Sequence, residues 1–231
     1  MEKIAVILAC ALLLMAAFMS GEKMQTRGAL YLDPAYQIHS RALVIIPVLT
    51  GNAYLHGGFY DYYSGRCGTD CLSVRIDPYI ALKEESSQSS VHTLSRLGYE
   101  FTNDYFLDAF LQVDPGYLSQ YERVIVLHSE YVTMRIFNAL QSHPMVIYLS
   151  PNALYGMVEI RNETMTLIQG HGYKTESGFG WKYDNTHPAE FDKKCLHWKF
   201  DRIPNGYQLN CNPEHTIWKN LEMIKALGTL E

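Results

Sequence analysis

Residues 124–133 read VIVLHSEYVT, and this stretch decides how the chain is expected to fold. Four apolar residues lead into a histidine, a carboxylate and a phenol, and a helical pattern follows over residues 133–142. In an open α/β sheet, side chains that follow a buried strand reach the crevice at the carboxyl ends of the strands. The stretch therefore predicts that His128, Glu130 and Tyr131 lie at such a crevice.

The same alternation of strand and helix patterns runs through the first two thirds of the chain. Strands are predicted at residues 41–49, 99–102, 123–127 and 145–149, with helices at residues 84–97, 104–121 and 133–142. The helical pattern over residues 104–121 is broken at the Asp-Pro-Gly of residues 114–116. This order predicts a three-layer α/β fold, with a mostly parallel sheet and helices on both faces.

The remaining chain predicts a β-rich C-terminal extension. It begins with a hairpin turning at residues 162–163, followed by a long loop rich in glycine and aromatic residues. A second strand pair and a terminal helix complete it, at residues 197–200, 206–211 and 213–227. We therefore expect one α/β domain over residues 41–231, with a βα core at 41–154 and the extension at 155–231.

The N-terminus indicates export. Residues 4–19 are an apolar run after Lys3, shorter than the about 20 residues that a membrane-spanning helix needs. Residues 1–20 are interpreted as a signal peptide or an uncleaved anchor, and residues 21–40 as a linker. A secreted or extracytoplasmic location follows, with a membrane tether as the alternative.

Four cysteines remain beyond the leader: Cys67, Cys71, Cys195 and Cys211. An even number of cysteines in an exported chain favours disulfides, and the pairs Cys67–Cys71 and Cys195–Cys211 are the prediction among three connectivities. A zinc site of four thiolates is the alternative, although the spacings suit zinc poorly. Asn162 begins an Asn-Glu-Thr glycosylation sequon.

Composition narrows the class of partner. The net charge is -5, charged residues make up 19% of the chain, and no basic stripe occurs. Nucleic acid is therefore excluded as an expected partner.

A ligand site is predicted where two loops meet. If the four βα strands are ordered 2-1-3-4, as in flavodoxin-like sheets, the loops after the first and third strands face each other. The first loop, residues 50–68, is rich in glycine and tyrosine. The residues expected around one crevice are Tyr54, His56, Tyr60, His128, Glu130, Tyr131 and Asn152, and His171, between two glycines, is a further candidate from the extension.

Each of these side chains also has a purely structural interpretation. Glu130 would complement the dipole of the following helix, His128 would bond to backbone, and the tyrosines would pack with their hydroxyls outward. Ser129 lacks the flanking glycines of a nucleophile elbow, so nucleophilic catalysis is not expected there. Acid/base or metal chemistry with Glu130 and His128 is the better-supported alternative.

Several short motifs resemble one known family. Residues 128–133 (HSEYVT) are similar to the H-x-E-Y-W-[ST] motif of the family of the C-terminal domain of the N,N-dimethylformamidase large subunit, with Val132 at the tryptophan position. Three further segments resemble that family in the same order, at residues 52–60 (NAYLHGGFY), 97–104 (LGYEFTND) and 148–155 (YLSPNALY). The match covers about residues 41–160.

The resemblance implies a class I glutamine-amidotransferase-like fold and an amidase whose iron is held by two tyrosines and a glutamate. Glu130 is then the implied glutamate ligand, His128 a neighbouring acid/base, and Tyr54 or Tyr60 an implied phenolate ligand. Iron, or another divalent transition metal, would be the cofactor, and a small-molecule amide the substrate.

Two further functions stay open beside an exported amidase. One is a non-catalytic, disulfide-stabilised module of the cell surface or of a complex, which binds a surface partner. The other is binding of a carbohydrate or small ligand through the tyrosine-rich loop.

Overall fold

The computed structural model describes residues 41–80, 85–170, 194–213 and 215–230, with the side chains of residues 85–88 excepted. The predicted leader, the linker, most of the long loop and His171 lie outside the described residues. In the part that is described, no helix is both long and apolar enough to cross a membrane.

Ten strands and six α-helices make up the described fold. The strands are β1 (Ala42–Ile46), β2 (Ser73–Arg75), β3 (Glu100–Asn103), β4 (Arg123–Val126), β5 (Tyr131–Val132), β6 (Val146–Tyr148), β7 (Gly156–Arg161), β8 (Thr164–Gln169), β9 (Phe200–Ile203) and β10 (Gly206–Leu209). The helices are α1 (Val48–Ala53), α2 (Phe59–Tyr63), α3 (Glu85–Ser95), α4 (Asp104–Val113), α5 (Met134–Ser142) and α6 (Leu221–Thr229).

The main sheet has six strands in the order β3-β1-β4-β6-β10-β9. Every neighbouring pair is parallel except β10 and β9, which are antiparallel. The four strands of the βα core therefore lie in the order 2-1-3-4 that places a crevice between the first and third strands. All three residues of β6 are buried, as the covered centre of a parallel sheet requires. The prediction of an α/β fold with a mostly parallel sheet is confirmed.

The hairpin predicted at residues 155–170 is confirmed as the antiparallel pair β7 and β8. Asn162 and Glu163 form its turn with φ values of 48° and 61°, the left-handed conformation that tight hairpin turns use. This hairpin belongs to a second sheet of order β2-β8-β7-β5. Since β5 pairs parallel with β7, the chain that follows Glu130 is tied to the hairpin.

The second strand pair of the extension, β9 and β10, joins the main sheet through β6. Gly206 permits this junction, because it has a φ of 144° and a Cβ there would lie 1.9 Å from the Val146 carbonyl oxygen. The extension therefore completes the main sheet.

Both predicted disulfides are present. Cys67 pairs with Cys71 and Cys195 with Cys211, at Cα–Cα distances of 6.0 Å and 5.5 Å. Two disulfides suggest an oxidising compartment, consistent with export.

Several predicted boundaries were wrong. The strand predicted at residues 197–200 lies instead at Phe200–Ile203, as β9. The first strand ends at Ile46 instead of residue 49, because Pro47 has no N–H for the ladder and α1 begins directly after it. Residues 50–68, predicted as a loop, contain most of α1 and all of α2. The terminal helix begins at Leu221 rather than residue 213, since the Asn220 side chain caps it by accepting from the Met223 N–H.

Candidate functional site

The site lies where the carboxyl ends of β1 and β4 meet. Ile45 pairs with Val126, and the Leu127 N–H donates to the Ile45 carbonyl over 3.2 Å. Helices α1 and α2 follow β1 at this edge, and residues 127–130 follow β4. The two polar segments predicted to face each other are therefore brought together.

The Glu130 carboxylate is the centre of the site. Glu130 is 1% exposed, so its carboxylate is buried. Tyr54, at the end of α1, donates its hydroxyl to Glu130 Oε1 over 2.9 Å, and Tyr60, in α2, donates to Oε2 over 2.6 Å. The two tyrosine rings stack with centroids 4.2 Å apart and 7° between their planes. One buried carboxylate thus holds two parallel phenols.

Three other side chains complete the contacts of this carboxylate. His128 Nε2 lies 2.9 Å from Glu130 Oε1, the Asn152 amide donates to the same oxygen, and the Tyr155 hydroxyl donates to Oε2 over 3.4 Å. Ser150 Oγ donates to Asn152 Oδ1 over 3.2 Å, which fixes the amide with its NH2 group toward Glu130. Both oxygens of the buried carboxylate are therefore hydrogen-bonded to side chains of the protein, as burial of a polar group requires.

The backbone that carries Glu130 is held from two sides. Thr50 Oγ1 accepts from the Glu130 N–H over 2.8 Å and from the Tyr131 N–H over 3.1 Å. On the other side, the Gly156 N–H donates to the Glu130 carbonyl over 2.9 Å. These contacts fix the peptide units on both sides of the Glu130 side chain.

The tyrosine hydroxyls form a chain that leads inward from the carboxylate. The Tyr60 hydroxyl lies 2.7 Å from that of Tyr155, which lies 2.8 Å from that of Tyr131. Burial, with the charge of Glu130 next in importance, raises the pKa of all three hydroxyls far above the usual range. The three phenols are therefore protonated at neutral pH. Tyr60 and Tyr155 donate to the carboxylate, and Tyr131 bonds to Tyr155.

The site meets solvent at Tyr54 and His128. Tyr54 is 48% exposed, and the His128 side chain is 17% exposed. Their ring centroids lie 6.4 Å apart. A ligand approaching Glu130 would therefore meet an aromatic ring and an imidazole first.

The other predicted residues lie in different surroundings. His56 has a fully exposed side chain, and its Nδ1 lies 3.6 Å from Asp61 Oδ2. Tyr131 is completely buried and bonds to Tyr155 rather than to the carboxylate. Ser129 Oγ is buried and, within the described residues, has no hydrogen-bond partner, so no base is arranged to activate it.

Two residues of the site were missed by the sequence-based prediction, Thr50 and Tyr155. Thr50 lies four residues before Tyr54, on the same face of a helix, so a helical prediction for residues 48–53 would have found it. Tyr155 follows Asn152 by three residues and ends the segment at residues 148–155 that resembles the family, but no role at the site was predicted for it from the sequence. Leu154, with a φ of 58°, marks the turn that brings both Asn152 and Tyr155 to the carboxylate.

Comparison of the sequence with models of protein families finds no match, and comparison with curated proteins finds no significant similarity. The geometry around Glu130 is therefore the basis on which a function is assigned.

Proposed function

We propose that this protein is an exported hydrolase of C–N amide bonds, with its reaction centre at Glu130. The observation that carries the proposal is the convergence of Tyr54, Tyr60 and His128 on one buried carboxylate at the crevice of the sheet. Binding sites of open α/β sheets lie at this position. The motif resemblance to the dimethylformamidase family, with its flavodoxin-like and glutamine-amidotransferase-like fold, supports the same reaction class.

The donor atoms of the site suit the iron that the resemblance implies. Glu130, Tyr54 and Tyr60 would hold it. The Tyr54 hydroxyl lies 2.9 Å from Glu130 Oε1, and the Tyr60 hydroxyl lies 2.6 Å from Glu130 Oε2, so the three side chains already converge. Oxygen donors of this kind are hard ligands. Among the described residues, no group of three His, Cys, Asp or Glu side chains could hold a metal, so binding would depend on the phenols. When bound, the ion would polarise the amide carbonyl and activate water.

The remaining side chains have roles that follow from their positions. Hydrolysis adds the hydroxyl of water to the acyl carbon and a proton to the departing nitrogen. His128, between Glu130 and solvent, is placed to accept the proton of water and return it to the amine. Asn152 orients the carboxylate, and the half-exposed Tyr54 ring forms one wall of the entrance.

Metal content and amide hydrolysis of a Glu130→Gln variant test the proposal. Glutamine keeps the size of the side chain but removes the charge. After supplementation with iron or zinc, we expect about one equivalent of metal in the wild type and less than about a tenth in the variant. Release of ammonia or amine from a panel of small amides should be lost with the metal.

Glu159→Gln is the matched control. Glu159 lies exposed on β7 and pairs with Arg161, away from the carboxylate site. This variant should keep both the metal and the activity. A wild-type protein that takes up no metal and hydrolyses no amide would reject the proposal, and full metal occupancy in Glu130→Gln would reject the ligand assignment.

A second function, that of a non-catalytic module, is favoured by one observation. Both Glu130 oxygens are bonded to side chains of the protein, and the residue is only 1% exposed. A carboxylate in such surroundings also serves as a structural anchor. In that case Glu130→Gln would lower the stability, while the wild type would bind no metal and show no hydrolysis.

A further inference from the structure

The hydroxyl of Thr50 joins the two halves of the site. Thr50 is 3% exposed and lies in α1, whereas the two amides that it accepts from belong to the segment after β4. We propose that Thr50 is the positioning residue that sets Glu130 against Tyr54 and Tyr60, and its effect on ligand binding rests on the proposed function.

A threonine hydroxyl is suited to this contact because its oxygen has two acceptor lone pairs. Both are used here, one by the Glu130 N–H at 2.8 Å and one by the Tyr131 N–H at 3.1 Å. Glu130 and Tyr131 are 1% and 0% exposed, so water does not replace the hydroxyl. Removing this acceptor would leave two buried N–H groups without a partner, which is costly.

Helix α1 and its C-terminal residue contact both the backbone and the carboxylate of Glu130. Thr50 and Tyr54 are four residues apart, and the Tyr54 N–H donates to the Thr50 carbonyl over 3.3 Å. Residues at this spacing lie on one face of a helix. Thr50 therefore fixes the Glu130 backbone while Tyr54, one turn later, bonds to the carboxylate. The distance between the carboxylate and the Tyr54 phenol is therefore set by a single short element.

The opposite side of the segment supports this arrangement without duplicating it. The Gly156 N–H donates to the Glu130 carbonyl, and the Leu154 N–H donates to the Ser129 carbonyl over 2.8 Å. Those bonds tie the segment to the start of the hairpin. The Thr50 hydroxyl joins the Glu130 and Tyr131 amides to helix α1. Without this hydroxyl, Glu130 would shift with the hairpin relative to Tyr54 and Tyr60.

Amide hydrogen exchange in the metal-free protein tests the contact directly. Thr50→Val keeps the shape of the side chain but cannot accept a hydrogen bond, and Thr50→Ser restores the hydroxyl. We expect the Glu130 and Tyr131 amides to exchange about tenfold faster or more in Thr50→Val, and at the wild-type rate in Thr50→Ser. Thr93→Val is the matched control, because Thr93 is a buried threonine whose hydroxyl donates to Ser89 within α3.

The positioning role requires a second readout, measured on the same variants. Iron affinity should fall about tenfold or more in Thr50→Val and recover in Thr50→Ser, while Thr93→Val should lose stability only. Unchanged amide protection in Thr50→Val would overturn the contact. Faster exchange with unaltered iron affinity would overturn the positioning role.

If the wild type binds no iron, the proposed function fails, and the ring-proton signals of Tyr54 and Tyr60 decide on Thr50. Signals displaced in Thr50→Val and restored in Thr50→Ser would support the positioning role. Signals equal to those of the wild type in Thr50→Val would overturn it.

Discussion

At the scale of single residues, Glu130 brings together side chains from four parts of the chain. Its carboxylate is bonded to Tyr54, Tyr60, His128 and Asn152. A buried carboxylate is stable only with such donors, because burial disfavours its charge. The same donors fix the carboxylate at a defined point, as the proposed reaction would require.

Removing one donor should cost stability. Tyr60→Phe deletes the hydroxyl that lies 2.6 Å from Glu130 Oε2. Since hydrogen bonds to charged groups are stronger than neutral ones, we expect the free energy of unfolding to fall by about 1.5–3 kcal/mol. Urea unfolding measures this loss. Tyr79→Phe, at a 46% exposed tyrosine, should change little, and equal stability of the two variants would contradict the role of Tyr60.

At the scale of elements, α1 depends on a buried carboxyl group from α4. Asp104 Oδ1 accepts from the Leu49 N–H over 3.0 Å, and Asp104 is completely buried. Burial raises the pKa of this carboxyl to about 8, against the opposing effect of backbone hydrogen bonds from residues including Leu49. The helix that carries Thr50 is therefore anchored by a group that titrates near neutral pH.

The raised pKa of Asp104 predicts that stability depends on pH. Because its folded pKa is higher than its unfolded value of 3.8, the folded state binds more protons between about pH 4 and 8. The contribution of Asp104 to the free energy of unfolding is fully present below about pH 4. It falls as the pH rises from there through 8, by at most about 1.4 kcal/mol per pH unit.

Asp104→Asn keeps an oxygen for the Leu49 N–H but does not ionise. In urea unfolding at pH 5 and pH 8, the variant should gain stability relative to the wild type as the pH rises. Parallel pH profiles of the two proteins would show that Asp104 is ionised in the folded state over this range, as it is in the unfolded state, and would contradict the raised pKa.

A second prediction at this scale concerns the junction between β5 and β7. A Cβ on Gly156 would lie 2.4 Å from Cδ1 of Tyr131, a completely buried ring. Gly156→Ala should therefore displace Tyr131, disturb its bond to Tyr155 and cost about 1–3 kcal/mol of stability. Gly228→Ala, in α6 with open space around it, should instead be neutral or stabilising. Thermal unfolding of both variants separates a local clash from a general effect of alanine.

At the scale of the whole molecule, the two disulfides close loops of different length. Cys195 and Cys211 are 16 residues apart and enclose β9 and β10, whereas Cys67 and Cys71 are 4 apart. Loop-closure entropy predicts about 3 kcal/mol for the longer loop and about 2 kcal/mol for the shorter one.

Replacing each cysteine pair by serines and measuring urea unfolding tests this order. The variant without Cys195–Cys211 should be the less stable, since that bridge encloses the strands that complete the main sheet. A larger loss from Cys67→Ser/Cys71→Ser would contradict the order that loop-closure entropy predicts.

Much of the architecture could be predicted from the sequence, because hydrophobic pattern and turn residues act locally. The apolar run before His128, the Asn-Glu turn and the cysteine spacing predicted β4, the hairpin and both disulfides. Short helices of five or six residues were missed, since α1 and α2 have no recognisable period and are stabilised by distant contacts such as Asp104 with Leu49.

For the site, the sequence by itself determined that Tyr54, Tyr60, His128, Glu130 and Asn152 follow strands whose ends share one edge of the sheet. That conclusion needs only the order of strands and the direction of parallel connections. Only the tertiary structure decided that Thr50 and Tyr155 belong with them and that His56 turns to Asp61 instead. Those choices depend on which buried N–H or carboxylate lacks a partner once the elements are packed, and a linear pattern does not contain that information.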